Sequence, residues 1–264
     1  RYKVYSDTPT ADRTCRDVVA YDALYDILSS DVTDWYNQIL PQKDSKVTLK
    51  QFRDSFFNHF GVEQEEVSLL NDEMIIEKTV EVTASSSGSS DTAEKSTIGE
   101  AISGKEVLSC ILEINGCMGN IGRNGKFRYV YLTQDMQGLY PANDLYPADD
   151  LYPRNPKSTS ISNSQYISAQ YEDYIVRTID KLQIREKEND IGVIVGDGGN
   201  TYVIEGNFLV YGKETKELNK IGEKTLSKIK GIIYRPFSAD CKGNPCLEVG
   251  DAVRLTTKYE LIET

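Results

Sequence analysis

The 264-residue chain carries 41 acidic and 30 basic residues with a single histidine, so its formal net charge is −11 at pH 7. A surface of this sign repels nucleic-acid phosphates, which argues against tight or sequence-specific DNA binding. Charged residues at 27% and hydrophobic residues at 39% are typical of a globular protein. The sequence has no apolar run of about 18 residues, so we expect no membrane-spanning segment.

The first part of the chain is predicted to begin with strands and to continue with helices. Residues 1–5 alternate as a strand does, and one or two strands are predicted within residues 1–20. Because the sequence starts without an initiator methionine, we expect it to be a fragment of a longer product. A helix is predicted at 31–40, with its apolar residues on one face. Thr48 and Gln51 form a capping-box pattern that opens a second helix, and Gly61 ends it.

The middle of the chain is predicted to contain a strand, a helix and a hairpin. Residues 74–82 alternate between apolar and polar positions, as in a half-buried strand. Ser103 and Glu106 form a second capping-box pattern, and Gly116 closes the helix that follows. The Asn-Gly pair at 124–125 is the signal of a type I′ hairpin turn.

An internal repeat of Leu-Tyr-Pro follows, with its prolines six residues apart. Proline at this spacing is incompatible with a helix or an inner strand, so the segment is predicted to be an extended connector. We expect it to dock on another surface through its Leu-Tyr pairs, although the tyrosines could instead stack on sugars. The docking residues are Leu139, Tyr140, Leu145, Tyr146, Leu151 and Tyr152.

The remainder of the chain is predicted to consist of strands and one helix. The predicted elements are strands at 174–184, 192–195 and 202–204, a helix at 214–230 and a strand at 232–234. The glycine-rich residues 196–200 are predicted to form the hairpin turn between the second and third of these strands. They lack the Lys-Ser/Thr pair of a phosphate-binding loop, which excludes a nucleotide site of that kind.

The nonapeptide 243–251 combines glycines, a proline and an asparagine, which specify a tight and fixed bend. Residues 253–261 then alternate as a half-buried strand, so the bend is predicted to form the corner of a small β-barrel or sandwich. The fold class is therefore α+β with antiparallel sheets. The residues of the turn that carry the pattern are Gly243, Asn244, Pro245, Leu247, Glu248, Gly250 and Asp251.

The sequence offers little for catalysis, and we predict no catalytic, metal-binding or cofactor-binding residue. His59 is the only histidine available to a Ser-His-Asp or Cys-His system, and it lies between aromatic residues at the end of a helix. The five cysteines show neither C-x-x-C spacing nor a nearby histidine, so no zinc site is expected. Cys241 and Cys246 flank the turn and could pair, but reduced thiols are expected in a protein made in the cytoplasm.

Several segments, in chain order, carry a resemblance to one protein family. The segments are 22–28, 48–57, 70–72, 104–119, the Leu-Tyr-Pro connector, 202–207, and the pattern G-N-P-x-L-E-V-G-D-x-V preceded by Ile-Ile-Tyr-Arg-Pro at 232–236. Together they resemble phage and prophage tail-tip hub proteins, the N-terminal regions of tail-associated lysins and prophage endopeptidase tail-like proteins of Gram-positive phages.

The resemblance implies a trimeric baseplate hub ring in the virion tail, in which each copy gives two barrel-like domains that continue the tail tube. Residues 1–20 would end a truncated first barrel, 21–135 would form a peripheral mixed α/β domain, 136–165 the connector, and 166–264 the second barrel. The implied partners are further copies of the chain, the distal tail protein and a tip or fibre protein. DNA would pass through the acidic lumen without specific binding.

Two other functions remain open for the sequence. One is a peptidoglycan-degrading tail lysin of the peptidase type, since relatives of the hub proteins can carry such a domain. The other is a receptor- or carbohydrate-binding tail module, in which Tyr140, Tyr146 and Tyr152 would contact glycans. Because no nucleophile or metal set supports the first, we expect the chain itself not to be an enzyme.

Overall fold

A computed structural model gives the fold of most of the chain. The described residues are 3–11, 13–42, 45–78, 101–132, 159–162, 164–241, 243, 247, 249–250 and 253–255. Within them lie helices and mainly antiparallel sheets, which confirms the α+β class.

The helices and strands have the following bounds. The α-helices are α1 (Ala23–Ser29), α2 (Thr33–Ile39), α3 (Leu49–His59), α4 (Gly104–Asn115) and α5 (Thr215–Ile229), with a 3₁₀ turn at Phe208–Val210. The strands are β1 (Lys3–Pro9), β2 (Arg16–Tyr21), β3 (Lys46–Thr48), β4 (Ile75–Glu77), β5 (Met118–Ile121), β6 (Phe127–Val130), β7 (Thr159–Ile161), β8 (Tyr166–Tyr171), β9 (Lys181–Arg185), β10 (Val193–Gly196), β11 (Thr201–Glu205), β12 (Phe237–Cys241) and β13 (Val253–Leu255).

Both predicted capping boxes are confirmed. The Thr48 hydroxyl accepts a hydrogen bond from the Gln51 amide at 3.2 Å, and the Gln51 side chain accepts one from the Thr48 amide at 3.0 Å. Ser103 and Glu106 make the same reciprocal pair at the start of α4. These bonds satisfy amide groups that a helix start leaves without a partner, so the sequence alone locates both helix starts.

The β5–β6 hairpin forms as expected, but the predicted type I′ turn is wrong. That turn requires positive φ at both central residues, and of the pair at 124–125 only Gly125 has it, at 78°. The loop is longer instead: the Gly125 amide donates to the Gly122 carbonyl, and the Gly122 amide donates to Lys126. The Asn124 side chain accepts from the Lys126 amide, which fixes this wider turn.

The sheet order β10–β9–β11 contradicts the predicted hairpin at 196–200. β10 runs antiparallel and β11 parallel to β9, so the two strands flank β9 and do not pair with each other. The glycine-rich loop therefore crosses the start of β9. A Cβ on Gly198 would lie 2.4 Å from the Asp180 Cβ, so the crossing requires glycine there.

The strands predicted at 174–184 and 232–234 are also largely wrong. Most of the first range is irregular, and β9 covers only its last residues. The backbone there bonds to the crossing loop, since the Asp180 amide donates to the Asn200 carbonyl. Of the second range, only Tyr234 forms a bridge, to Val176. The strand in this region is β12, which pairs antiparallel with β8.

One hydrophobic core contains residues from both sides of the predicted connector. Rings from α2 and α3 pack with apolar residues of α4, β9, the 3₁₀ turn and α5. Fully or almost fully buried members are Ile27, Trp35, Tyr36, Phe52, Phe56, Phe57, Val107, Ile111, Ile114, Leu182, Ile184, Ile204, Phe208, Ile221 and Leu226. The predicted domain boundaries remain a prediction, but α5 and β9 share the core of the 21–135 segment.

The predicted barrels are not confirmed. In the described ranges, each sheet other than β10–β9–β11 has two strands, and none of them closes on itself. Two of the pairs, β9–β11 and β7–β13, are parallel, which the sequence did not indicate. Among the described helices, none is long and apolar enough to cross a lipid bilayer.

Candidate functional site

Two exposed strand pairs form the candidate site, and the first is the N-terminal ribbon, β1 with β2. The two strands pair antiparallel from Lys3 opposite Tyr21 to Pro9 opposite Arg16, with a bulge at Tyr5. The ribbon joins the helical part of the molecule at Tyr21, whose ring stacks on Tyr25 of α1 with the centroids 4.2 Å apart.

The N-terminal ribbon exposes apolar side chains along its length. Every residue of β2 is exposed, and in β1 only Ser6 is half-buried. Tyr5 is 74% exposed and Val18 is 55% exposed, which is unusual for side chains of this size. An isolated two-stranded ribbon is at best marginally stable in water, so this one has the character of an incomplete sheet.

The second strand pair is the C-terminal ribbon, β8 with β12. Tyr171 and Phe237 face each other across it in an edge-to-face contact with centroids 5.9 Å apart. The Arg235 guanidinium lies 5.0 Å from the centre of the Tyr171 ring and donates to the Glu172 carbonyl at 3.0 Å. These contacts extend the ribbon beyond the strand ends, as does the bridge between residues 176 and 234.

The C-terminal ribbon is also apolar on its exposed surface. Ile167 is 83% exposed, the largest fraction among the exposed large hydrophobic residues of the described chain. Other large apolar residues exposed on or next to this ribbon are Tyr174, Ile175, Ile233 and Tyr234. Since apolar surface of this extent marks interaction sites, both ribbons are candidate assembly surfaces.

The predicted turn residues are only partly described. Gly243, Leu247 and Gly250 lie within the described residues, whereas the turn residues 244, 245, 248 and 251 lie outside them. All six predicted docking residues of the Leu-Tyr-Pro connector also lie outside. Neither set can be compared with its predicted role, so both roles remain predictions.

The described part of the nonapeptide contacts the β5–β6 hairpin. The Arg123 guanidinium donates to the Leu247 carbonyl at 3.3 Å, and the Asn120 amide group donates to the Val249 carbonyl at 3.2 Å. A Cβ on Gly250 would lie 2.5 Å from a methyl group of Val130. The turn thus packs against a hairpin more than 100 positions earlier in the chain, which its local sequence did not indicate.

A groove with a volume of about 800 Å³ runs along α4 beside β11. Among its lining residues, the Glu113 carboxylate accepts hydrogen bonds from the Tyr202 hydroxyl at 3.2 Å and from the Asn207 amide group at 2.9 Å. Burial, with the nearby charge of Glu113, raises the pKa of Tyr202 to about 12. Because these bonds already engage both carboxylate oxygens, the trio joins α4 to β11 as a structural link.

The residues considered for catalysis are dispersed. His59 lies at the end of α3, with its ring 6.5 Å from Trp35 and 5.0 Å from Phe60 between centroids. Burial raises the pKa of both the Cys110 and the Cys117 thiol to about 12, while Cys15 is exposed. The described residues contain no group of three or more His, Cys, Asp or Glu side chains placed to hold a metal ion.

Cys241, at the end of β12, is an exposed free thiol, and Cys246 lies outside the described residues. The pairing considered for these two cysteines therefore lies outside the described residues and stays a prediction.

Sequence reasoning missed both the Glu113 link and the C-terminal ribbon. Asn207 is buried and caps the 3₁₀ turn. In the sequence, however, an asparagine after a glycine is a common loop signal, and it does not indicate that the side chain bonds to Glu113. The ribbon's β12 has only one apolar residue of ordinary strand type, Phe237, beside small and polar residues. A strand of this composition gives no alternating pattern to detect.

Comparisons with known proteins add a structural similarity. The fold by itself assigns the chain to the α+β class and to no narrower class of protein. No family model matches the chain, and no curated protein matches it. A solved structure to which the chain is similar is the 43 kDa tail protein of prophage MuSo2 from Shewanella oneidensis, with a TM-score of 0.39 and 13% sequence identity over 97% of this chain. The chain spans 66% of that tail protein. Similarity at this level does not establish a common fold.

Proposed function

We propose that the chain is a structural component of a phage or prophage tail tip, in which three copies form a baseplate hub ring. The observation that carries this proposal is the pair of exposed, two-stranded ribbons with large apolar side chains. A ring of copies supplies such ribbons with neighbours and removes open sheet edges, which would otherwise invite uncontrolled association. The ordered sequence segments that resemble tail-tip hub proteins point in the same direction.

In this role the ring continues the tail tube and links the distal tail protein to the tip or fibre of the virion. The net charge of −11 per chain suits a lumen through which DNA passes, because an acidic wall repels phosphate and prevents sticking. The proposal therefore requires acidic residues to cluster on the surface that faces the lumen.

We further propose that the chain acts mechanically and has no catalytic activity of its own. A cysteine nucleophile needs an accessible thiolate, and the raised pKa of the buried Cys110 and Cys117 thiols disfavours it. His59 is exposed at the end of α3, with its ring beside those of Trp35 and Phe60, and we propose no catalytic role for it.

The first test is the solution mass of the chain, measured by light scattering over a concentration series. We expect a species near three times the chain mass of 29.7 kDa, with ring-shaped particles in negative-stain electron micrographs. A chain that remains monomeric at every concentration, or that forms a tight dimer, contradicts the proposed ring.

A further inference from the structure

We infer that the N-terminal ribbon of one copy docks on the C-terminal ribbon of a second copy of this chain. The inference rests on the proposed function, because it names the two surfaces through which copies in the ring meet. The N-terminal ribbon is accessible to a second copy, because almost all of its residues are exposed. The stacked rings of Tyr21 and Tyr25 lie at its base, where it joins α1.

The two ribbons have complementary shapes. On β1 and β2, Val4 and Val18 lie on the same face, since Val4 is opposite Ala20 and side chains alternate along each strand. On β8 and β12, Ala169 lies opposite Ala239, next to the strongly exposed Ile167. The paired alanines leave a shallow surface beside a protruding isoleucine, into which branched side chains from another ribbon can pack.

The charges of the two ribbons also favour a second copy as the occupant. From the start of β1 to the end of β2 the charged residues are Lys3, Arg13 and Arg16 with Asp7, Asp12 and Asp17, and on the C-terminal ribbon they are Glu172, Asp173 and Asp240 with Arg235. The first set has no net charge and the second is net negative. In an acidic chain that otherwise repels its own copies, the acidic ribbon of one copy therefore meets less repulsion from the uncharged N-terminal ribbon of another than from the average of its surface.

The geometry of the contact between the two ribbons determines which assembly of copies forms. Each copy gives one ribbon and receives another, so the contact can be exchanged reciprocally in a two-fold dimer, close into a larger ring, or continue as an open filament. Three such contacts close the proposed hub ring.

The test uses one variant of each ribbon and a matched control. Val18→Asp places a negative charge on the N-terminal ribbon, and Ile167→Asp does so on the C-terminal ribbon. Both side chains are exposed, so neither change disturbs the core. The control is Ile191→Asp, which alters an isoleucine that is 75% exposed but lies between β9 and β10, outside both ribbons.

We expect each ribbon variant to raise the concentration needed for half-maximal trimer formation by tenfold or more in light scattering. The control should match the wild-type chain. In a mixture of the two variants, the intact N-terminal ribbon of Ile167→Asp can dock on the intact C-terminal ribbon of Val18→Asp, whereas every other contact includes a changed ribbon. The mixture should therefore form a species of two chains and no ring. Circular dichroism of each variant checks that its fold is unchanged.

The possible failures are distinguishable. A wild-type trimer that neither variant weakens, or that only one of them weakens, overturns the pairing of the ribbons and leaves the hub proposal standing. A mixture of the two variants that stays monomeric also overturns the pairing. A wild-type chain that is monomeric at every concentration overturns both the pairing and the proposed ring. A tight wild-type dimer overturns the ring, and it overturns the pairing as well unless both ribbon variants weaken the dimer.

Discussion

Arg53 is almost completely buried on α3, with its guanidinium held on several sides. It forms a bidentate pair with the Asp72 carboxylate at 2.8 and 2.9 Å, and it also donates to the Gln64 side chain and to the Val67 carbonyl. Burial disfavours its charge, but the hydrogen bonds and charge of Asp72 more than offset this and raise the pKa of Arg53. The pair thus fixes residues 64–72 against the helix.

The first prediction concerns this buried pair. Asp72→Ala should lower the free energy of unfolding by about 3 kcal/mol or more, because it removes the bidentate partner of a buried guanidinium and leaves Asp54, at the longer distance of 3.6 Å, as its remaining ion-pair partner among the described residues. Lys50→Ala is the control: it removes an exposed pair with Asp54 on the same helix and should cost less than about 1 kcal/mol. Urea unfolding followed by circular dichroism measures both. Equal effects of the two changes would show that burial does not determine the importance of the Arg53 pair.

At the level of elements, the crossing loop between β10 and β11 determines the order of the three-stranded sheet. Gly198 has φ of 142° and lies against Asp180, whereas the next residue, Gly199, has open space where a Cβ would be. The loop passes the start of β9 at Gly198, so this position controls whether β11 can reach the far side of β9.

The second prediction follows from these two neighbouring glycines. Gly198→Ala should destabilise the fold by about 1–3 kcal/mol, since the new Cβ would meet Asp180 and the backbone angle is strained for alanine. Gly199→Ala should change stability by no more than about 0.5 kcal/mol. Thermal unfolding of the two variants measures the difference. A Gly198→Ala variant as stable as Gly199→Ala would contradict the crossing path.

The elements differ in how far the sequence could predict them. The starts of α3 and α4 are encoded by neighbouring residues, because a capping box joins positions three apart. The path of the glycine-rich loop is not encoded by neighbouring residues, since the same residues can form a hairpin or a crossing. The choice between the two depends on contacts with Asp180. Likewise the exposed ribbons follow no local rule: whether an apolar strand is covered depends on the rest of the molecule.

At the scale of the whole molecule, the core joins the helical region to the segment that follows the connector. Phe208 packs edge-to-face on Tyr36 with centroids 5.9 Å apart. The Thr225 hydroxyl of α5 donates to the Ile114 carbonyl of α4, and the Asn207 amide group donates to the Cys110 carbonyl at 3.0 Å. These contacts lie between residues about 100 or more positions apart, which no periodic pattern in the sequence can indicate.

The last prediction tests whether the predicted peripheral domain at 21–135 can fold alone. Without β9, the 3₁₀ turn and α5, the buried faces of α2 and α4 would be open to water, because those elements cover them in the core. We therefore expect the 21–135 fragment to keep helical circular dichroism but to bind a hydrophobic dye and unfold without a cooperative transition. The matched 21–230 fragment contains the whole shared core and should unfold cooperatively. A cooperative transition of the shorter fragment would show that the domain boundary predicted from the sequence is right and that α5 only docks on a finished domain.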